Sequence, residues 1–436
     1  MKKTASIFIL FLLCALFLVA CGKNKNSATA EPNSDVSYEN GSDLTGVVKD
    51  IDRAGGLISF YNPVIDGEET FIYTGATSIQ TKNGSEMSMD EVELGEVYDI
   101  VIDKSGGKLA KMTMKKDVIE ETDARIFPDS DRQIITVEGV NYAYSEGVVA
   151  LSGGQPIDPM EITSADRVTF RGGNGKVYSV IVTRGHGYLE PEDYADFVGG
   201  TLMIEGESIL PVTEGMLVVV PEGRTKIKMR NGDLESEGET DVSRNMVAKL
   251  NMKKSMSQVP DTARVTFHIH PDGAELYING SMVSYSEPIP MYYGLHSVRV
   301  VLEGYNTYQG TIRIKDPEPT FRIDLAEEVA AVEEKEDETG QTSDGSTVEP
   351  DDSGSLDPSN ADYDVDHSIT VSAPNGASIY INGTYKGVAP CSFTKCIGQI
   401  TITLQKEGCQ TKSYSMEILD DSQDTTLSFP ELAASE

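Results

Sequence analysis

Ten residues are written twice in this chain. Residues 271–280 read PDGAELYING and residues 374–383 read PNGASIYING. Pro271, Gly273, Ala274, Tyr277, Ile278, Asn279 and Gly280 return as Pro374, Gly376, Ala377, Tyr380, Ile381, Asn382 and Gly383. The phrase fixes local geometry. Pro271 closes one strand and Asp272-Gly273 makes a turn. Leu276 and Ile278 alternate with Tyr277, the period-two pattern of a short strand. Asn279-Gly280 then supplies the two consecutive positive-φ residues of a tight hairpin. A helix cannot carry this grammar, so a chain that uses it twice is building one small β unit twice.

The match continues downstream. Pro288 corresponds to Pro390. Gly294 and Gly304 lie ten apart, as do Gly398 and Gly408, and between them LHSVRVVLE matches QITITLQKE as an alternating strand. The pattern P-x-G-A-x-x-Y-x-N-G, then P, then G-x-H-x-V-x-V, then G-Y resembles the PEGA domain. The first copy keeps Gly294, His296, Val298, Val300, Gly304 and Tyr305. The second departs from it. Ile400 replaces His296, Cys409 replaces Tyr305, and SITVSA runs one residue out of frame with VTFHIH, a slip a β-bulge would absorb. The resemblance covers about 130 of the 436 residues, or about 180 if residues 199–252 are a degenerate third copy. It implies small β-sandwiches of a kind common in surface-layer and envelope proteins, where they act as structural or binding modules.

The remaining sequence reads the same way. Short alternating runs of Val, Ile, Thr and Tyr predict an all-β chain of several small β-barrel or β-sandwich domains in tandem, joined by disordered acidic linkers. Residues 44–116 hold a first barrel-like domain. Residues 130–186 repeat its plan: KNGSEMSMDEV (82–92) aligns with SGGQPIDPMEI (152–162) at an offset of 70. Each copy carries a helix-start signal, Ser88 with Glu91 and Asp158 with Glu161, the latter with Pro159 between. Residues 187–198 read as a linker with one helical turn, and 199–256 as a further sandwich. The repeats occupy 262–325 and 367–430. Between them, residues 326–366 are too acidic and too poor in apolar side chains to form a core, and read as a disordered linker.

At the N-terminus, Lys2 and Lys3 precede an apolar run that ends Leu18-Val19-Ala20-Cys21. This resembles a bacterial lipobox. It implies a signal peptide over residues 1–20, lipid on Cys21 and a disordered tether over 21–43. The alternative is an uncleaved membrane anchor. Either places the rest of the chain outside the cytoplasm, held at the membrane. The net charge of −34 argues against a nucleic-acid partner, whose phosphates require Lys and Arg.

Little in the sequence points to catalysis. No nucleophile elbow, metalloprotease motif or P-loop occurs, and no cofactor or metal is expected. His268 and His270 share one strand face without a third ligand. His296 reads as packing, because its copy is Ile400. His186, in RGHGY, reads as a loop residue. Cys391, Cys396 and Cys409 are either free core thiols or contribute one bridge, Cys391–Cys396 or Cys396–Cys409. Tyr285, Met291, Tyr292 and Tyr293 cluster beyond the first NG turn; they form either a partner-binding surface or part of the sandwich core. The expected function is a non-enzymatic envelope scaffold or binding module for cell-wall polymer or a surface protein. The alternative is a ligand-binding or sensing head, residues 44–252, presented to an enzyme or transporter.

Overall fold

The computed structural model describes residues 44–103, 107–205, 208–256, 261–327 and 362–435. The stretches expected to be a signal peptide and a tether, with Cys21, and most of the expected acidic linker lie outside these residues. What is described is β structure throughout, apart from three single-turn 3-10 segments.

Two small barrels come first. In the first, Leu44–Asp52 pairs with Leu57–Asn62 and with Val97–Ile102, and the bridge from Ile72 to Lys108 brings the sheet back on itself. The second shares this plan at the offset of 70. Met89–Glu91 and Pro159–Glu161 are the two 3-10 turns. Ser88 and Glu91 form a capping box, and the Asp158 carboxylate accepts from the Met160 amide. Ser78–Gln80 runs parallel to Leu109–Met114, as Val149–Ser152 does to Lys176–Arg184. The second barrel begins at Ile119–Ala124, earlier than residue 130, because that strand pairs with Arg167–Gly173. Val47, Tyr61 and Val97 of the first barrel pack on Val149, Leu151 and Tyr178 of the second.

Three sandwiches follow, and they share one set of pairings. In the middle one, Thr262–His270 pairs antiparallel with Ile289–Tyr292 and parallel with Thr320–Asp324. Facing this sheet is a second of four strands, in which Glu275–Ile278, Ser281–Val283, Gly294–Val301 and Tyr308–Ile314 pair antiparallel. Leu276, Ile278, Val298 and Val300 point inward against Ala263, Val265 and Phe267. The last sandwich repeats the scheme, except that one 15-residue strand, Cys391–Gln405, serves both sheets. Its first strand, Asp362–Ala373, starts inside the expected linker and has register shifts at Asp364/Ser368 and, against Thr425–Ser428, at Val371/Ala373. The second shift lies in the SITVSA run that reads one residue out of frame.

The first sandwich has the same strand pairing with little of the sequence phrase. His186–Glu192 pairs antiparallel with Val218–Pro221 and parallel with Val247–Asn251. Thr201–Ile204, Ser208–Pro211, Gly223–Asn231 and Leu234–Val242 form the facing sheet. The stretch expected to be a linker therefore opens a domain, with its helical turn at Ala195–Phe197. Tyr188 is fully buried on one side and Leu189 on the other, so the strand lacks the alternation that would have marked it.

The domains do not hang apart as beads. The last sandwich folds back onto the second barrel and the first sandwich. Lys412 Nζ lies 2.8 Å from Glu161, Arg132 lies 3.8 Å from Glu417, and Tyr380 packs with Tyr188 and Leu217.

Candidate binding cleft

The repeated phrase does two jobs at each NG turn. Asn279 and Gly280 have φ of 49° and 76°, and Asn382 and Gly383 have 49° and 85°, which closes both hairpins in two residues. The Asn side chain then fixes the neighbouring strand. Asn279 Oδ1 accepts from the Ser297 amide at 3.0 Å, and Asn382 Oδ1 from the Thr401 amide at 2.9 Å. The partners of these turns lie within the same chain. Glu214 approaches Gly280 closely and accepts from Ser297 Oγ at 2.8 Å. The Leu217 amide donates to the Gly383 carbonyl at 3.1 Å. Both NG turns thus rest on residues 214–218, one short segment of the first sandwich.

A side-chain clamp holds the middle sandwich. Asn231 is 3 % exposed. Its Oδ1 accepts from the Leu295 amide at 2.7 Å. Its Nδ2 donates to the Leu295 carbonyl, to Asp196 O at 3.1 Å and to Val198 O at 3.3 Å. The backbones approach so closely that a Cβ on Gly232 would stand 2.4 Å from Tyr293 O, and one on Gly294 2.4 Å from Asn231 Oδ1.

This docking revises the aromatic surface expected from the sequence. Met291 is in the core at 6 % exposure. Tyr285 and Tyr293 pack against that same core, and the Tyr285 hydroxyl donates to Ala274 O at 2.9 Å. Tyr292 packs on the core of the first sandwich. Three of these side chains thus belong to the core of their own sandwich, and Tyr292 lies between it and the first.

Where the second barrel, the first sandwich and the last sandwich meet, they leave a cleft of about 600 Å³. Arg125 and Arg167 come from the barrel, and Ile204, Glu205, Leu210, Val219 and Pro221 from the first sandwich. The last sandwich adds Asn382, Thr384, Lys386, Gln399 and Thr401. Glu205 is paired with Arg184 at 2.9 Å. Such a volume is in the range of small-ligand sites, and the mixture of an apolar wall with a few polar groups suits one.

A buried polar junction lies nearby. His186 is 7 % exposed and sits in a strand, which corrects its reading as a loop residue. Its Nδ1 is 2.9 Å from both Asp166 oxygens, and its Nε2 is 3.4 Å from the Tyr188 hydroxyl. That hydroxyl donates to Thr411 O of the last sandwich at 3.2 Å, and burial raises its pKa. The adjoining cavity is about 40 Å³, which leaves room for water but not for a substrate. The pair works as an interdomain bond.

The other candidates resolve simply. His296 is buried, with Nδ1 2.9 Å from Asn279 Nδ2 and Nε2 2.8 Å from Tyr292 O. Burial lowers its pKa, so the neutral ring that both bonds require is favoured. His268 and His270 are exposed, opposite Arg322 and Asp324, and no cluster of metal-ligating residues occurs among the described residues. Cys391, Cys396 and Cys409 are free thiols. The first two share one extended strand, and five residues at ~3.3 Å each hold them far beyond disulfide reach.

With this architecture in place, the chain defines itself as a tandem array of small β domains built partly from PEGA units. The PEGA domain family matches residues 264–329 and 368–430, so the middle and last sandwiches are PEGA domains. The first sandwich has their pairing without a family match. PEGA domains occur in extracellular or periplasmic proteins, and no described helix is long and apolar enough to cross a membrane. No curated protein matches the sequence. Among solved structures, the Bacillus anthracis TIE protein aligns at 12 % identity over 92 % of this chain and 75 % of its own, with a TM-score of 0.19. The Ca2+-stabilized adhesin with which an Antarctic bacterium binds ice aligns at 9 % over 89 % of this chain and 100 % of its own, with a TM-score of 0.09. At these scores neither carries an argument.

The sequence reading missed Arg125, Arg167, Lys386, Gln399 and Asn231. One signal was available: the spacing between the copies changes from 103 at Asn279/Asn382 to 102 at Pro288/Pro390 and 104 at Gly294/Gly398, so the two copies differ in length on both sides of that proline.

Proposed function

We propose that this chain is a non-enzymatic envelope protein, anchored through lipid on Cys21, that serves as a scaffold and binding module for cell-wall polymer or a surface protein. One observation carries this reading. Both PEGA domains seat their NG turns on residues 214–218, which joins the three sandwiches, and the first and last of them enclose an open cleft with the second barrel. Such an arrangement suits holding a ligand, and the polar junction at His186 is occupied with binding domains together. The alternative, a sensing head of residues 44–252 presented to an enzyme or transporter, uses the same cleft. It differs in making the wall from the last sandwich dispensable.

Two experiments test the proposal. Full-length chain should co-sediment with isolated cell envelope, and loss of co-sedimentation in the presence of intact envelope would remove the scaffold role. Cys21→Ala should move the chain out of the membrane fraction; if it stays, the lipid anchor is wrong.

A further inference from the structure

The second barrel and the last sandwich are joined by the ion pairs Lys412–Glu161 and Arg132–Glu417, and beside these they leave a groove of about 530 Å³. It shares no lining residue with the cleft described above. Its walls come from residues 130–161 and 412–431, and both stretches are described without a break. The floor is apolar. The Tyr414 ring stacks on Phe429 with centroids 4.8 Å apart, and Met160 and Leu427 pack against the same core.

One group in this groove lacks a protein partner. Tyr414 is 6 % exposed, yet its hydroxyl makes no hydrogen bond among the described residues. The fully buried side-chain atoms without a partner, among those residues, are Glu69 Oε2 and Thr213 Oγ1. The Tyr414 oxygen is not one of them, so it is open to the groove it lines. Burial and the nearby charges of Glu161 and Asp158 push its pKa up to about 12, which keeps the hydroxyl protonated. Those two carboxylates also line the groove. Asp158 Oδ1 accepts from the Met160 amide at 2.9 Å, and Glu161 Oε2 from Lys412 at 2.8 Å, which leaves one oxygen of each unengaged.

The middle sandwich has nothing comparable. By register, Val298 pairs with Gly310 where Ile402 pairs with Tyr414, and Val300 pairs with Tyr308 where Leu404 pairs with Lys412. The phenol in the groove and the lysine that ties its wall to Glu161 are thus private to the last copy.

A nearly buried phenol oxygen and carboxylate oxygens without donors favour a ligand rich in N–H groups, which replaces the water they lose. An ammonium supplies three donors and the matching charge. A bare cation would leave the apolar floor uncovered, so the ligand also carries apolar groups. We propose that this groove binds a peptide segment of a surface protein through a basic side chain flanked by apolar residues. The ammonium donates to the Tyr414 oxygen and to the free oxygens of Asp158 and Glu161. Its alkyl stem and the flanking side chains lie on Phe429, Met160 and Leu427. The inference rests on the reading of the chain as a binding module and names the chemistry of the partner.

The test is calorimetric titration of the full chain in detergent with the capped pentapeptide Gly-Leu-Lys-Leu-Gly, the same peptide with norleucine for lysine, and spermidine. The lysyl peptide is expected to bind, with the norleucyl peptide and spermidine each about tenfold weaker or worse. Tyr414→Phe keeps the ring and its stack on Phe429 but removes the oxygen, and should weaken the lysyl peptide by about tenfold. Asp158→Asn keeps an oxygen to cap the turn and removes the charge, and should weaken it by a few-fold to about tenfold. Glu303→Gln, on the middle sandwich, should change nothing. The proposal is overturned if the lysyl peptide fails to bind, if the norleucyl peptide or spermidine binds as tightly, or if both groove variants keep full affinity. Should Tyr414→Phe melt early, Asp158→Asn decides. Failure of the peptide with envelope co-sedimentation intact removes the partner chemistry alone; loss of both removes the binding-module reading as well.

Discussion

Asn231 offers the sharpest test of how the domains are joined. Asn231→Ala deletes one acceptor and one amide donor that serves three carbonyls. The Leu295 amide loses its partner at a buried contact, which costs about 1–3 kcal/mol. The carbonyl contacts add roughly 0.5–1.5 kcal/mol in net hydrogen bonding. Together they weaken docking by about 2–4 kcal/mol, a factor of roughly 30 to 1,000 in the opening equilibrium. Amide hydrogen exchange at Leu295 reads this directly and should accelerate by that factor. The amide of Val298, inside the same strand but paired within its own sandwich, should keep its protection, because the domain undocks without unfolding. Unchanged exchange at Leu295 would show that the clamp is incidental. Equal loss at Val298 would show that the sandwich cannot stand apart from its neighbour.

Gly294→Ala should undock the same interface, since φ is 134° there and the new Cβ meets Asn231 Oδ1; in an Asn231→Ala background it should cost less, a coupling that a double-mutant cycle measures. His296 gives the middle sandwich an acid-side instability. Its native pKa lies below the unfolded value of ~6.5, so the unfolded chain binds the proton first and stability falls as pH drops through ~6.5, by at most ~1.4 kcal/mol per pH unit. His296→Ile should abolish that slope in pH-dependent melts while lowering stability at neutral pH by about 1–3 kcal/mol, through the orphaned Asn279 amide. Among the last domain's thiols, Cys396 is buried with its pKa raised by burial, so a thiol reagent should label Cys409 well before Cys396 in the native chain, and all three once it is unfolded.

Local grammar was legible and long-range docking was not. Asn279-Gly280 and Asn382-Gly383 each announce a hairpin, because a two-residue loop needs positive φ and few residues tolerate it. Ser88 and Asp158 announce their turns for an equally local reason. His186–Glu192 was missed because its two faces are buried by different domains. Tyr292 looked like a surface residue for the converse reason: a sequence shows that a side chain leaves its own core, not which other domain receives it. The cleft draws on residues from Arg125 to Thr401, and no window of sequence contains it.

One feature of the sandwiches bears on mechanics. In each, the first strand runs parallel to the last: five residue pairs join Tyr188–Glu192 to Val247–Asn251, and five join Thr266–His270 to Thr320–Asp324. Parallel partners place the two ends of a domain at opposite poles. Tension along the chain must therefore slide one strand past the other and load all five pairs at once, where an antiparallel pair would peel apart one at a time. A protein held to a surface at one end and to a polymer at the other would resist force through these ladders, domain after domain.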